Sequence, residues 1–262
     1  MHPGSIPGEA STSRVASGDM VATGITEGAR GAHNSGHADM TVDFSELRVK
    51  MVDGQVRTTD VTSLPLLDAM LAVPREAFVP DNRKTLAYID ENILISGNSG
   101  PDARYLMKPS PFAKLVQLAE IGPNDKVLDV GAGTGYSAAV LSRLAKSVVA
   151  LECDGALAEQ AQSAISSVGY DNVSVVSGDL KAGHKAGAPY DVIFVGGSVE
   201  ELPETLLAQL AEGGRLVVVE GRGNAALARI YLKSKGVATG RRAFNAAVKP
   251  LPGFECAPVF EF

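Results

Sequence analysis

The sequence predicts an α/β protein with a doubly wound, mostly parallel sheet of seven strands, helices on both faces and an antiparallel C-terminal hairpin. Five apolar runs in the second half of the chain alternate with other segments, several of them helical in pattern, which is typical of parallel strands joined by crossovers. The first run ends in a glycine-rich turn, and acidic residues follow the next two. Ligands of such sheets bind outside the carboxyl ends of the strands, where this turn and these acids fall.

The chain of 262 residues divides into three parts. Residues 1–40 are rich in Gly, Ser, Ala, Thr and His and almost lack large apolar side chains, which predicts a disordered or loosely attached tail that is dispensable for stability. Residues 41–110 are predicted to form helices and an irregular loop that reaches the ligand side of the sheet. Residues 111–262 are predicted to form the ligand-binding core.

Apolar spacing predicts three helices before the sheet. The first starts after Thr41, with Phe44 and Leu47 on one face, and a shorter one follows Ser63. An irregular stretch with two prolines and a Gly/Asn/Pro loop comes next. The third helix is predicted over 112–121, directly before the first strand of the sheet.

Five apolar runs predict the parallel strands, and two more predict the C-terminal hairpin. In chain order the runs are 126–130, 147–151, 173–176, 190–197 and 215–221, followed by 228–232 and 242–248. Three strand ends carry candidate ligand-binding groups. The first strand runs into the glycines of 131–135, the second ends in Glu152, and Asp179 follows the third.

The turn after the first strand has glycines at three alternate positions, Gly131, Gly133 and Gly135. Glycine permits a positive φ and lets a ligand approach the backbone, because it has no Cβ. A dinucleotide fingerprint, G-x-G-x-x-G, would need its third glycine where Tyr136 stands. The spacing found here is similar to that of S-adenosylmethionine-dependent methyltransferases; the alternative is a tight strand-to-helix turn that binds nothing.

The acids that follow the next two strands agree with this cofactor. Glu152 is placed to accept hydrogen bonds from both hydroxyls of a ribose, and Asp179 is placed to accept one from an adenine amino group. We therefore predict S-adenosyl-L-methionine as the cofactor. The candidate cofactor-binding residues are Asp129, Gly131, Ala132, Gly133, Thr134, Gly135, Tyr136, Glu152, Cys153, Gly178, Asp179, Leu180 and Gly196.

Composition narrows the function classes further. The net charge is −6 and the sequence pI is about 5.3, so no overall basic field favours nucleic acid as a partner. No apolar stretch approaches the roughly 18 residues of a membrane span. Cys153 and Cys256 lie far apart and form no metal pattern, so no metal is predicted. We expect reduced thiols and a cytoplasmic protein that acts on neither nucleic acid nor membranes.

From about residue 41 to the C-terminus, the chain resembles protein-L-isoaspartate O-methyltransferases. The resemblance rests on 73–80, on Ala87 and Tyr88 followed by Asp90, on 127–136, on Glu152, on Gly178 with Asp179, and on 213–216. It implies an S-adenosylmethionine-dependent carboxyl O-methyltransferase with a peptide or protein carboxylate as its substrate. In this family the methyl group goes to the α-carboxylate of an isoaspartyl residue, and the ester then cyclises to a succinimide that can reopen as normal aspartate.

One segment departs from the family pattern. Members usually carry Gly-Gln-Thr-Ile-Ser-x-Pro before the helix that precedes the first strand, and their serine lies at the substrate carboxylate. Matching Pro109 to the family proline puts Met107 at the serine position, and a thioether cannot donate a hydrogen bond. Lys108, Arg104 and Ser110 are candidates to hold the carboxylate instead; alternatively, both cations are ordinary solvated charges. Neither cation belongs to the glycine turn or to the acidic strand ends, so we expect that substituting either one would hardly change cofactor binding.

Three functions stay open at this point. The chain is an isoaspartyl carboxyl methyltransferase, a methyltransferase for another carboxylate or a small molecule, or a cofactor-binding protein without catalysis. A carboxylate is already ionised at pH 7 and needs no general base, so carboxyl methylation relies on positioning. The fourth strand runs into Gly196 and Gly197 rather than the Asn/Asp-Pro-Pro-aromatic motif of many amine methyltransferases, which disfavours nitrogen as the acceptor.

We predict that the protein binds S-adenosylmethionine and its demethylated product, because the glycine turn and two acids fall at successive strand ends. Titration calorimetry should give micromolar affinity for S-adenosylhomocysteine, on the order of −8 kcal/mol. Binding of NAD without any response to S-adenosylhomocysteine would contradict the assignment.

Overall fold

The computed structural model describes residues 42–97, 99–100 and 102–255, which belong to one compact unit. The predicted tail, 1–40, lies outside the described residues. The predicted division at residue 110 stays a prediction. No helix among the residues that the structure describes combines the length and the apolar character needed to cross a membrane.

The N-terminal segment is helical, as its apolar spacing predicts. The Asp43 side chain caps the first helix by accepting hydrogen bonds from the backbone N–H groups of Ser45 and Glu46. The elements are α1 (Phe44–Met51), a π-helical turn (Val52–Val56), a 3-10 turn (Arg57–Thr59), α2 (Leu64–Ala72) and two further 3-10 turns (Arg75–Phe78 and Asp81–Leu86).

A short antiparallel hairpin separates these helices from the sheet. Its strands, β1 (Ile93–Leu94) and β2 (Tyr105–Leu106), have two residues each. The next helix, α3 (Pro109–Ala119), begins three residues earlier than the sequence predicts. Proline suits the first turn of a helix, because its missing N–H would have no helical partner there.

The main sheet has seven strands in the order β5-β4-β3-β6-β7-β8-β9, flanked by helices. The elements are β3 (Lys126–Val130), α4 (Tyr136–Ser142), β4 (Ser147–Glu152), α5 (Gly155–Ser167), β5 (Val173–Ser177), β6 (Tyr190–Val199), α6 (Glu204–Ala208), β7 (Leu210–Glu220), β8 (Leu227–Ser234) and β9 (Val237–Asn245). Strands β3 to β7 pair in parallel, and β7, β8 and β9 pair antiparallel. The predicted fold class is therefore confirmed.

The strand order reverses between β3 and β6, because β4 lies on one side of β3 and β6 on the other. Open α/β sheets bind their ligands at such a reversal, outside the carboxyl ends of the strands. At this point Gly196 of β6 faces the glycine turn so closely that a Cβ on it would lie 3.0 Å from the carbonyl oxygen of Gly131. The topology therefore puts the glycine turn and Gly196 at the strand-order reversal.

Phe112 of α3 joins the N-terminal segment to the sheet. Its side chain is buried, and its ring centroid lies 5.5 Å from that of Tyr136 and 5.8 Å from that of Phe194. Aromatic rings packed in this way contribute through buried area and through their tilted geometry. The contact links α3 with β6 and with the first residue of α4.

Phe112→Ala should lower the free energy of unfolding by about 3–5 kcal/mol, because it leaves a cavity between three elements. Leu64 is 65% exposed, and Leu64→Ala should change stability by no more than about 0.5 kcal/mol. Urea denaturation of both variants beside the parent protein measures the difference. Equal effects of the two substitutions would contradict this account of the core.

Candidate functional site

The glycine turn at the end of β3 is fixed by the neighbouring strand. The N–H groups of Gly131 and Ala132 donate to the carbonyl oxygen of Leu151 at 2.9 and 3.1 Å. Gly131 and Gly133 have φ values of +83° and +58°, which residues with a Cβ rarely adopt. The local sequence thus folds into a backbone loop of defined shape against the end of β4.

Side chains from two other segments cover this turn. A Cβ on Gly131 would lie 2.7 Å from Cδ2 of Leu251 and 3.1 Å from Nη2 of Arg104. A Cβ on Gly133 would lie 2.6 Å from Cδ1 of Ile95. The close approach that the glycines permit is therefore used by the chain itself in this conformation.

Glu152 ends β4 with a fully buried side chain. Its Oε2 accepts a hydrogen bond from the N–H of Gly133 at 2.6 Å, and its Oε1 accepts from the N–H groups of Cys153 and Asp154 at 3.0 and 3.2 Å. Burial by itself raises the pKa of a carboxyl group. Here the guanidinium of Arg104 and these backbone donors outweigh burial, so the pKa of Glu152 lies below its usual value. Glu152 is therefore a buried anion.

Arg104 forms a two-point ion pair with Glu152. Its Nε and Nη2 donate to the two carboxylate oxygens at 3.1 and 2.8 Å, and Nη2 also donates to the carbonyl oxygen of Gly131 at 3.0 Å. The two side chains are 3% and 0% exposed. Arg104 therefore contacts both the glycine turn and the acidic end of β4, although it belongs to neither in sequence. It is not a solvated charge.

Asp129 is a second buried carboxylate beside the turn. Its Oδ2 accepts a hydrogen bond from Oγ of Ser137 at 2.6 Å, whereas its Oδ1 has no partner among the described residues. Burial raises the pKa of Asp129 to about 7, and the nearby Glu152 adds to the shift. An acceptor that is buried without a donor is unusual and marks a place where a ligand donor could bind.

The strand ends beyond β4 hold the remaining predicted cofactor residues. Asp179 is exposed, and its Oδ1 accepts a hydrogen bond from the N–H of Lys181 at 2.9 Å. Gly178 donates its N–H to the carbonyl oxygen of Glu152, and Leu180 is buried in the core. Cys153 is exposed as a residue, but its thiol is partly withdrawn from solvent next to Glu152. This partial burial, followed by the charge of Glu152, raises the pKa of the thiol to about 11.

Two predicted cofactor residues make contacts with the N-terminal segment. Thr134 donates from Oγ1 to the carbonyl oxygen of Phe78 at 2.5 Å. The ring of Tyr136 is buried, and the guanidinium carbon of Arg75 lies 4.6 Å from its centroid. Arg75 also donates to the carbonyl oxygens of Ala87 and Met107. These side chains hold the N-terminal segment against the turn.

The predicted substrate residues lie in three different environments. Met107 is buried and lines a small cavity together with residues of the glycine turn. Ser110 donates from Oγ to Asp90 at 2.7 Å, so its hydroxyl is already engaged. Lys108 is half-buried, and no carboxylate of the described residues lies at ion-pair distance from it. Of the two predicted cations, only Lys108 is available to a substrate in this conformation.

The polar groups around the turn suit a nucleoside cofactor, but the cavity directly at Gly131 and Gly133 is small. The cavity at the turn has a volume of about 20 Å³, which holds little more than one water molecule. A cofactor of the size of S-adenosylmethionine needs a cavity of roughly 300 Å³ or more. The small cavity at Gly131 and Gly133 is therefore too small for S-adenosylmethionine by itself. An open cavity of about 780 Å³ lies beside it, between the segments 77–83 and 94–97 and helix α5, and Thr134 of the turn also lines it.

Sequence reasoning did not find Ile95, Leu251 or Arg75. Ile95 and Leu251 are apolar residues in irregular segments, and nothing in their sequence context marks them as neighbours of the turn. Arg75 lies in the segment 73–80, which carries part of the family resemblance, but its burial beneath Tyr136 depends on tertiary packing. No group of three His, Cys, Asp or Glu residues that could hold a metal occurs in the part of the chain that the structure describes.

Fold and site together define a class I, Rossmann-like S-adenosylmethionine-dependent methyltransferase. A model of the family described as protein-L-isoaspartate(D-aspartate) O-methyltransferase matches residues 48–251. The chain belongs to this family, which uses S-adenosylmethionine, and the predicted resemblance is confirmed.

Curated relatives and solved structures agree. Protein-L-isoaspartate O-methyltransferase of Roseiflexus sp. (strain RS-1) is 39% identical over 74% of this chain and 86% of its own length. Protein-L-isoaspartate O-methyltransferase 1 of Rhodopseudomonas palustris (strain HaA2) is 36% identical over 80% of this chain and 83% of its own length. A solved protein-L-isoaspartate O-methyltransferase matches with a TM-score of 0.69 and 29% identity. The match covers 79% of this chain and 66% of that structure's chain.

A second solved structure supports the fold. It is a Plasmodium falciparum protein described as a candidate protein-L-isoaspartate O-methyltransferase, in complex with S-adenosyl-L-homocysteine. Its TM-score is 0.66, its identity is 21%, and the match covers 80% of this chain and 99% of that one.

Asp129→Asn should stabilise the ligand-free protein by about 1–3 kcal/mol at pH 8. The pKa of Asp129 is raised from about 3.8 to about 7 on folding, so its contribution to stability is complete below pH 3.8 and is lost as the pH rises through 7. The advantage of the variant should therefore grow between pH 5 and pH 8 in urea titrations. Asp68→Asn, at an exposed position of α2, is the control. Parallel pH profiles of variant and parent would rule out this ionisation.

Proposed function

We propose that this chain transfers a methyl group from S-adenosylmethionine to the α-carboxylate of isoaspartyl residues in peptides and proteins. The observation that carries the proposal is the match to the family over 48–251, which includes the glycine turn and Glu152 at the reversal of strand order. The two widely spaced cysteines support a cytoplasmic location. The negative net charge favours a protein substrate over nucleic acid.

The substrate position is supported by geometry. Met107, at the place of the family serine, lies against the glycine turn, and its carbonyl oxygen is held by Nη2 of Arg75 at 2.8 Å. The segment that we expect to contact the substrate carboxylate therefore lies next to the candidate binding site of the methyl donor. Because a carboxylate arrives ionised, the protein has to hold and orient it rather than remove a proton.

Lys108 is the residue that we assign to the substrate carboxylate. Its backbone N–H is tied to Oδ1 of Asn92 at 3.2 Å, which fixes the main chain while the ammonium group stays unpaired with the described carboxylates. A cation can replace the missing serine hydroxyl, because a charged hydrogen bond to a carboxylate is stronger than a neutral one. Arg104 is bound to Glu152 and is not free for this role in the described conformation.

A second candidate function keeps the reaction and changes the acceptor. Met107 offers no hydrogen bond where the family has a hydroxyl, which favours a carboxylate in another molecular context, including a small molecule.

The test is methyl transfer to an isoaspartyl peptide beside the same peptide with normal aspartate. The parent protein should methylate only the isoaspartyl form. Lys108→Ala should lower kcat/KM about 100-fold, equivalent to about 2.7 kcal/mol, and Met107→Ser should raise it. Lys114 of α3 stacks on Phe244, with Nζ 4.7 Å from the ring centroid, and Lys114→Ala is the matched control.

Activity that survives Lys108→Ala unchanged would assign carboxylate binding to other groups. Absence of activity on either peptide, with S-adenosylhomocysteine still bound, would favour the second candidate function.

A further inference from the structure

The ion pair between Arg104 and Glu152 occupies acceptor sites that a cofactor ribose would need. A carboxylate offers about four acceptor positions. Glu152 already receives both guanidinium donors of Arg104 and three backbone N–H groups. The backbone donors are the N–H groups of the glycine turn and of the two residues that follow Glu152, and they are fixed by the main-chain fold. Two ribose hydroxyls can therefore bind this carboxylate only after Arg104 has left it.

Ile95 and Arg104 are joined through their backbones. The N–H of Ile95 donates to the carbonyl oxygen of Arg104 at 2.9 Å, and the N–H of Arg104 donates to Oγ of Ser96 at 3.0 Å. One residue covers Gly133 and the other contacts Gly131 and Glu152. We call Ile95 and Arg104 the latch.

Ile95 lies between two cavities. Ile95 lines both the small cavity of about 20 Å³ at the turn and the open cavity of about 780 Å³ beside α5. The larger cavity already reaches the turn at Thr134. Displacement of Ile95 would extend it to Gly133 and give a nucleoside-sized ligand more room at the glycines. The adjoining strands β1 and β2 have only two residues each, and such short pairings are weak.

We propose that the latch is an internal competitor of the cofactor. Without cofactor, Arg104 takes the place of the ribose on Glu152, and Ile95 fills the glycine turn. The cofactor binds by displacing both residues, which couples its binding to opening of the site. The inference rests on the cofactor of the proposed function but not on the identity of the methyl acceptor.

The coupling has a measurable consequence for affinity. When only the open form binds, the apparent dissociation constant is the intrinsic one divided by the fraction of open molecules. Weakening the latch raises that fraction and tightens binding, although it removes contacts from the protein. A residue that helped to hold the cofactor would act in the opposite direction.

The experiment is calorimetric titration of S-adenosylhomocysteine into the full chain and four variants. Arg104→Met and Arg104→Lys remove or weaken the two-point pair, and Ile95→Ala uncovers Gly133 without touching Glu152. We expect Arg104→Met and Ile95→Ala to lower the dissociation constant roughly tenfold, and Arg104→Lys to lower it less.

Arg215→Met is the matched control. Arg215 also donates to a carboxylate, Asp125, at 2.6 Å and to two backbone carbonyl oxygens, those of Ala119 and Glu120. Asp125 directly precedes β3 and lies at the amino ends of the strands, away from the turn. Arg215→Met should leave the affinity unchanged, and tightening equal to that of Arg104→Met would overturn the proposal.

Unchanged or weaker binding in folded Arg104→Met and Ile95→Ala would also overturn it. If Arg104→Met does not fold because Glu152 loses its partner, Ile95→Ala decides alone, since it keeps the ion pair. Tighter binding in the latch variants without methylation of an isoaspartyl peptide would leave the latch standing and remove the proposed acceptor.

Discussion

A fully buried carboxylate has to be neutralised and hydrogen-bonded, and the candidate site is organised around this requirement at Glu152. Its partners come from three places in the chain. They are Gly133 of the glycine turn, Cys153 and Asp154 directly before α5, and Arg104 of the segment before α3. One side chain thus ties together parts of the chain up to about 50 residues apart. The ends of β3 and β4 are held in register with the segment that carries the predicted substrate residues.

The glycine turn meets two separate needs. Gly135 lies against α5, where a Cβ would approach Cδ1 of Ile165 to 2.9 Å, so this glycine is required by helix packing. Gly131 and Gly133 face away from the sheet toward Leu251, Arg104 and Ile95. Only these two of the three glycines contact the residues that cover the candidate site. The three-glycine pattern therefore combines one position set by helix packing with two positions at the candidate site.

The substrate side is anchored to the core rather than to solvent-exposed loops. Arg75 is completely buried, stacks on Tyr136 and donates to the carbonyl oxygens of Ala87 and Met107. It holds the backbone at Met107, whose side chain can differ from the family serine without loss of the main-chain geometry. This explains how a chain can keep the family fold while its predicted substrate residues diverge.

The sequence by itself determined the fold class, the glycine turn and the acid at the end of β4, because these depend on local periodicity and on residues a few positions apart. Matching Pro109 to the proline of the family pattern assigned Met107 to the position of the family serine. Tertiary structure alone decided that Arg104 pairs with Glu152 and that Ile95 and Leu251 cover the turn. These contacts join residues 38 to 120 positions apart, and a buried charge selects its partner by three-dimensional proximity, which no local pattern encodes.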